Sequence, residues 1–192
     1  YFVEKIMDLL VEIKERHSPR SFLSKPIEKE KLYIIFEAAR WSESSFNSQP
    51  WRYFLADKYT NEPFYKTILG TLSDFNKKWA SFAPVLIAVA CNKIYEHNNK
   101  LNVSAWYDCG LSSQNLVIQA MNLGISAHII GGFDKNKLAL ELNLPESTEL
   151  ISVIALGYEG SIELLPDDIK KVETDKQRIR KKLDEIIFNK PL

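Results

Sequence analysis

Five short stretches of the 192-residue chain hold the side chains best able to do chemistry. The first is Arg16-His17-Ser18-Pro19-Arg20, with two guanidiniums, an imidazole and a hydroxyl in one turn. Arginine grips phosphate through paired charge-assisted hydrogen bonds, and a hydroxyl adds a short donor. A solvated charged helix end is the other reading of the same residues. In the second, Ser44-Ser45-Phe46-Asn47-Ser48-Gln49, amides and hydroxyls stand side by side before Pro50-Trp51 stiffens the exit. Such a mixture suits a hydroxyl-rich ligand, or simply turn and cap formation. Gly131-Gly132-Phe133-Asp134 is the third. There main-chain N–H groups can approach a flat ligand without a side chain in the way, unless the turn is only a tight connection with an Asp cap. Arg178-Ile179-Arg180 puts two guanidiniums on one side of an extended segment, or forms part of a solubilising run. Last, Phe75-Asn76 stands before an apolar strand.

Other chemistries lack their signatures. No GxGxxG opens a strand-to-helix unit, which argues against a Rossmann dinucleotide site, and there is no P-loop or GxSxG elbow. His17, His97 and His128 have no metal-ligand spacing, and no CxxC is present, so no metal is expected. Cys91 and Cys109 lie in apolar surroundings and read as buried free thiols of a reducing compartment rather than a disulfide.

These residues must be positioned by the elements between them. Apolar spacing predicts a helix over residues 3–16, stopped as Pro19 approaches, and a second from Pro26 to about Trp41. Residues 42–49 read as a loop, 53–56 as a strand and 62–79 as one or two irregular helices. A buried strand is expected over 84–91 and a long helix over 103–123, with Gly124 as its left-handed stop. A strand over 126–130, ending at Ile130, runs into Gly131-Gly132. Asp134 then caps a short helix reaching about 143, and 150–156 is the last core strand. From 170 to 182 there are seven basic residues against two acidic ones, so 161–192 reads as a basic C-terminal extension of a single domain.

Composition agrees with a globular α+β domain: 45% hydrophobic, 26% charged and a formal net charge of zero. A neutral chain lacks the basic footprint of a nucleic-acid binder. No apolar run reaches the ~18 residues of a membrane span, and no signal-peptide layout opens the chain, so a cytoplasmic protein is expected.

Taken in order, R-H-S-P-R at 16–20, S-S-F-N-S-Q-P-W at 44–51, G-G-F-D at 131–134, A-L-G-Y at 155–158 and R-I-R-K-K-L at 178–183 resemble the FMN-dependent nitroreductase family. The resemblance spans nearly the whole chain. It implies an α+β fold with a small, mostly antiparallel central sheet flanked by helices. It also implies an intertwined homodimer, with FMN at the subunit interface and the 161–192 extension packing on the partner. The activity implied is an oxidoreductase taking hydride from NAD(P)H onto flavin N5 and passing electrons to a small acceptor, such as a nitroaromatic or quinone, by turns. By the same resemblance Arg16, His17 and Ser18 hold the phosphate and ribityl region, and Arg178 and Arg180 close over the phosphate. Arg20 lies by the flavin N1–C2 edge, Asn76 by the pyrimidine edge, and Ile130, Gly131 and Gly132 bring main chain to N5 and O4. Ser44, Ser45 and Asn47 come from the other subunit. The sequence departs from the family at Gly131, where relatives often have Glu, and at Glu43, where they commonly have Pro. A flavin-binding protein without turnover, and a helical module using its basic tail on an acidic partner, stay open as alternatives.

Overall fold

The computed structural model describes residues 9–175, 177–189 and 191. Four strands form one sheet: β1 (Trp51–Asp57), β2 (Val85–Asn92), β3 (Ser126–Ile130) and β4 (Thr148–Gly157), in the order β1-β2-β4-β3 with every ladder antiparallel. Because β2 and β4 are buried on both faces, their sequences are nearly continuous apolar runs rather than alternating ones.

Side-chain alternation along β2 divides the core in two. Leu86, Ala88 and Ala90 face one cluster with Tyr65, Ile68, Trp79, Leu138 and Ile169. Val85, Ile87 and Val89 face a second with Ile35, Leu116, Val117 and Ala120. The first cluster is covered by α3 (Glu62–Leu69), α4 (Asp74–Ala80), α6 (Lys135–Glu141) and α7 (Asp167–Thr174). Against the second pack α2 (Lys29–Arg40) and α5 (Ala105–Asn122). Trp79 is fully buried and packs against His128 with the rings tilted and their centroids 4.4 Å apart; truncating such a residue to Ala typically removes about 3–5 kcal/mol.

The expected α+β class and antiparallel sheet are what the structure has. The stretch 62–79 resolves into two helices because Asn61 and Ser73 each cap a new start, accepting from the N–H groups of Phe64 and Asn76. Gly124, at φ +72°, ends α5 in the left-handed region as its position predicts. The first predicted helix is α1 (Val11–Glu15) within the described residues; its expected opening turns over 3–8 lie outside them. Cys91 and Cys109 are free and buried beside Trp51 and Ala105. No helix among the described residues is long and apolar enough to cross a membrane.

One element was not expected. The segment after Gly160 begins as a packed part of this chain: Leu165 and Ile169 enter the core, and Pro166 followed by Asp167 and Asp168 opens α7. Acidic residues in a first turn suit the positive end of a helix. From Gln177 onward every described residue is exposed, including Ile179, Leu183 and Phe188.

Candidate functional site

The 16–20 turn leaves α1 and crosses toward β3, where Pro19 is held through its carbonyl by His128 Nδ1 at 2.9 Å. Arg16 folds back on the turn, its Nη1 donating to the His17 carbonyl at 2.9 Å and to Ser18 Oγ at 3.3 Å. The C-terminal segment comes to the same place: Arg178 Nη1 donates to the Lys14 carbonyl at 2.5 Å. Arg16, Arg178, Arg180, Lys14 and Gln114 of α5 line one open cleft of about 470 Å³. Burial, and then the charges of Arg178 and Arg180, push the Arg16 guanidinium below its ordinary pKa. None of the three arginines forms an ion pair with a carboxylate among the described residues. Three like charges drawn together repel one another, a setting that suits an anion.

Arg178 also borders a neighbouring cleft of about 290 Å³ with His17, Pro19, Ser21, Glu159 and Glu173. Here His17 Nε2 lies 3.1 Å from Glu159 Oε1, and Ser126 Oγ donates to the other carboxylate oxygen. Arg20 Nη1 donates to Glu173 Oε2 of α7 at 2.7 Å, an ion pair whose side chains are only 18% and 13% exposed. Its Nε is buried and finds no hydrogen-bond partner among the described residues. Its guanidinium carbon lies 5.7 Å from the centre of the Phe75 ring.

The Gly131-Gly132 turn is joined to α4 by a relay. Trp79 Nε1 donates to Asn76 Oδ1 at 3.2 Å, and Asn76 Nδ2 donates to the Gly132 carbonyl at 3.0 Å. The Ser73 N–H donates to the same carbonyl, also at 3.0 Å. The fit at Gly132 is close: a Cβ there would stand 2.8 Å from Asn76 Nδ2, whereas one at Gly131 would meet nothing within 4 Å. Ile130 buries its side chain in the core, so only its main chain can serve a ligand. Asp134 accepts from the Lys137 N–H at 2.9 Å, so the predicted cap and the exposed glycine turn are both present.

The 44–49 loop stands apart from these groups, at the first turns of α5. The Ser45 N–H donates to Asp108 Oδ2 at 3.1 Å and its hydroxyl pairs with Tyr95 OH at 2.9 Å. Ser44 Oγ accepts from the Gln49 N–H, and Asn47 Oδ1 from Gln49 Nε2. Phe46, Asn47 and Gln49 all have positive φ, at 52°, 51° and 44°. For a residue as bulky as Phe46 that conformation is strained, and it persists because Asp108 and Tyr95 fix the loop on either side. Asp108 is 3% exposed, and burial, with Glu43 adding to it, raises its carboxyl pKa above the ordinary range against the lowering effect of the Ser45 N–H.

Within this chain, then, Arg16, His17, Arg178 and Arg180 line two adjoining clefts, with Ser18 bonded to Arg16 and Arg20 bonded to Glu173 in the wall of the second. Asn76 sits against Gly132, and Ser44, Ser45 and Asn47 form a separate surface. Sequence reasoning missed Glu173, Asp108 and the Trp79–Asn76 link. Glu173 stood hidden in a basic run, and the signal for its helix was Pro166 followed by two acids.

A model of the nitroreductase family matches residues 13–158, about three quarters of the chain. The chain belongs to the nitroreductase family. A protein of Methanothermobacter thermautotrophicus, provisionally named NADH dehydrogenase/NAD(P)H nitroreductase, is 28% identical over 158 residues, covering 79% of this chain and 78% of the relative. A solved structure described as an oxidoreductase containing FMN superposes with a TM-score of 0.86 at 30% identity, over 97% of this chain and 93% of the other. The fold is also that of a provisionally named nitroreductase from Exiguobacterium sibiricum 255-15, solved in complex with FMN. Its TM-score is 0.76 at 20% identity, over 96% and 98% of the two chains. The 16–20 turn, the 44–51 loop and the glycine turn all lie within the matched residues.

Proposed function

We propose that this nitroreductase-family chain is an NAD(P)H-dependent FMN oxidoreductase that works as a homodimer. The observation carrying the proposal is the convergence of Arg16, Arg178 and Arg180 on one cleft without an opposing carboxylate among the described residues. A phosphate monoester is the anion that three guanidiniums suit, and each can offer it parallel N–H donors. Two further features fit a flavin. Arg20 carries a buried Nε with no partner among the described residues, a donor suited to an acceptor edge of the ring. The Gly131-Gly132 turn is exposed and free of side chains, so its main chain can reach a flat ligand. The FMN-containing relative at 30% identity supports the same cofactor.

In this reading Arg16, Arg178 and Arg180 bind the phosphate, with His17 and Ser18 beside it toward the ribityl chain. Arg20 places positive charge at the N1–C2 edge, and Asn76, fixed by Trp79, sets the turn that brings Ile130, Gly131 and Gly132 to N5 and O4. Ser44, Ser45 and Asn47 serve the site of the partner subunit, and the exposed 177–189 segment packs on that subunit. When bound, FMN supplies a ring that accepts hydride at N5 and passes electrons to a small acceptor, a nitroaromatic or quinone, in alternate half-reactions.

Fluorescence titration of protein freed of flavin tests the phosphate assignment. FMN is expected to bind and riboflavin, which lacks the phosphate, to bind at least tenfold more weakly. Equal affinities would remove the three arginines from the site.

A further inference from the structure

The contact between Arg20 and Glu173 joins residues 153 positions apart, the turn before the sheet and the helix after it. Both side chains are largely withdrawn from water, and Glu173 takes one end of the guanidinium while Nε stays buried and unpaired. A carboxylate this close does two things to a cation. It fixes the rotation of the planar group, here with Nη1 spent and Nε left as the donor. It also offsets part of the positive field that the guanidinium projects beyond itself, more strongly in a partly dry setting than in water.

Resting on the proposal that Arg20 faces the flavin N1–C2 edge, we infer that Glu173 is a positioning residue. It aims Arg20 at that edge and, by offsetting its charge, holds down the reduction potential of the bound flavin. Reduced flavin carries more negative charge at N1 than oxidised flavin, so a cation at that edge favours the reduced state and raises the potential. Glu173 on the far side of Arg20 acts in the opposite sense, leaving reduced enzyme a stronger donor to its acceptor. The segment carrying Glu173 is therefore part of the redox site as well as a cover for the core.

The experiment is the midpoint potential of FMN-loaded protein, measured anaerobically against a reference dye, for the parent, Glu173→Gln and Glu173→Asp. Glutamine keeps an oxygen for Arg20 Nη1 and loses the charge; aspartate keeps the charge. The expected result is a higher potential for Glu173→Gln and one near the parent's for Glu173→Asp. An unchanged potential in Glu173→Gln alongside a lowered melting temperature would mean that the pair only staples α7 to the sheet, and would overturn the inference. So would failure of both variants to fold or to load FMN, since Glu173 would then be needed for assembly rather than tuning. A parent protein that takes up no FMN removes the underlying flavin reading, and this inference with it.

Discussion

The side chains that matter most are charged groups with no opposite partner among the described residues. Arg16 is half-buried beside Arg178 and Arg180, and its lowered pKa records both lost water and like-charge neighbours. In the proposed complex a bound phosphate would convert that repulsion into charge-assisted bonds worth about 1.5–3 kcal/mol each. Arg16→Ala or Arg178→Ala should therefore weaken FMN about tenfold to somewhat over a hundredfold in a fluorescence titration, while leaving riboflavin almost unaffected. Asp108 is the opposite case, a buried carboxylate whose ionised form the fold disfavours on balance. Its folded pKa lies above its unfolded value, so its contribution to stability is fully present below the ordinary Asp range and lost as pH rises through the raised value. Asparagine keeps an oxygen for the Ser45 N–H and carries no charge. Melting curves should show Asp108→Asn gaining on the parent at about pH 7, with the difference closing toward about pH 4. A difference that grew on acidification would contradict the sign.

Elements turn these side chains into a site. The glycine turn is placed by β3 on one side and by α4 on the other, through the Trp79–Asn76–Gly132 hydrogen bonds. Gly132→Ala drives a methyl to 2.8 Å from Asn76 Nδ2, which cannot swing away without losing both bonds. It should lower stability by about 1–3 kcal/mol in urea unfolding and weaken FMN, whereas Gly131→Ala, with open space around it, should leave stability unchanged. Equal effects at the two glycines would mean that Asn76 does not hold the turn. Much at this scale was legible in the sequence. The sheet strands are apolar runs bounded by Pro and Gly, α5 has its apolar period and its Gly124 stop, and Asp134 announces α6. Helix α7 was not legible, because Ile169 is its one buried apolar anchor and the charged residues around it drown the period. Among site residues, those that bind through their own chemistry, the arginines and the short polar loop, could be read from type and spacing. Those acting by long-range placement, Glu173 on Arg20 and Asp108 on Ser45, could not, since 153 and 63 residues separate the partners.

At the scale of the whole molecule, the proposed homodimer gives a reason for the large apolar side chains that the single chain exposes. Trp41, Phe46, Val103 and Tyr107 are each more than 70% exposed, and Ile179, Leu183 and Phe188 follow on the C-terminal segment. Exposed apolar side chains of this size are what an interface covers, and in the proposed homodimer a second copy would cover them and bring Ser44, Ser45 and Asn47 to the arginine clefts. Light scattering should give twice the 22.1 kDa chain mass, and Trp41→Glu should both dissociate the protein and release flavin. A monomer that still held FMN would contradict the shared site. Binding of FMN and its reduction by a nicotinamide are read together in a visible absorption spectrum of the purified, FMN-supplemented protein before and after anaerobic NADH or NADPH. A flavin band that bleaches with either nucleotide is the predicted result. A band that persists with both would leave a flavin binder without this activity, and no band at all would contradict the account from the arginine clefts upward.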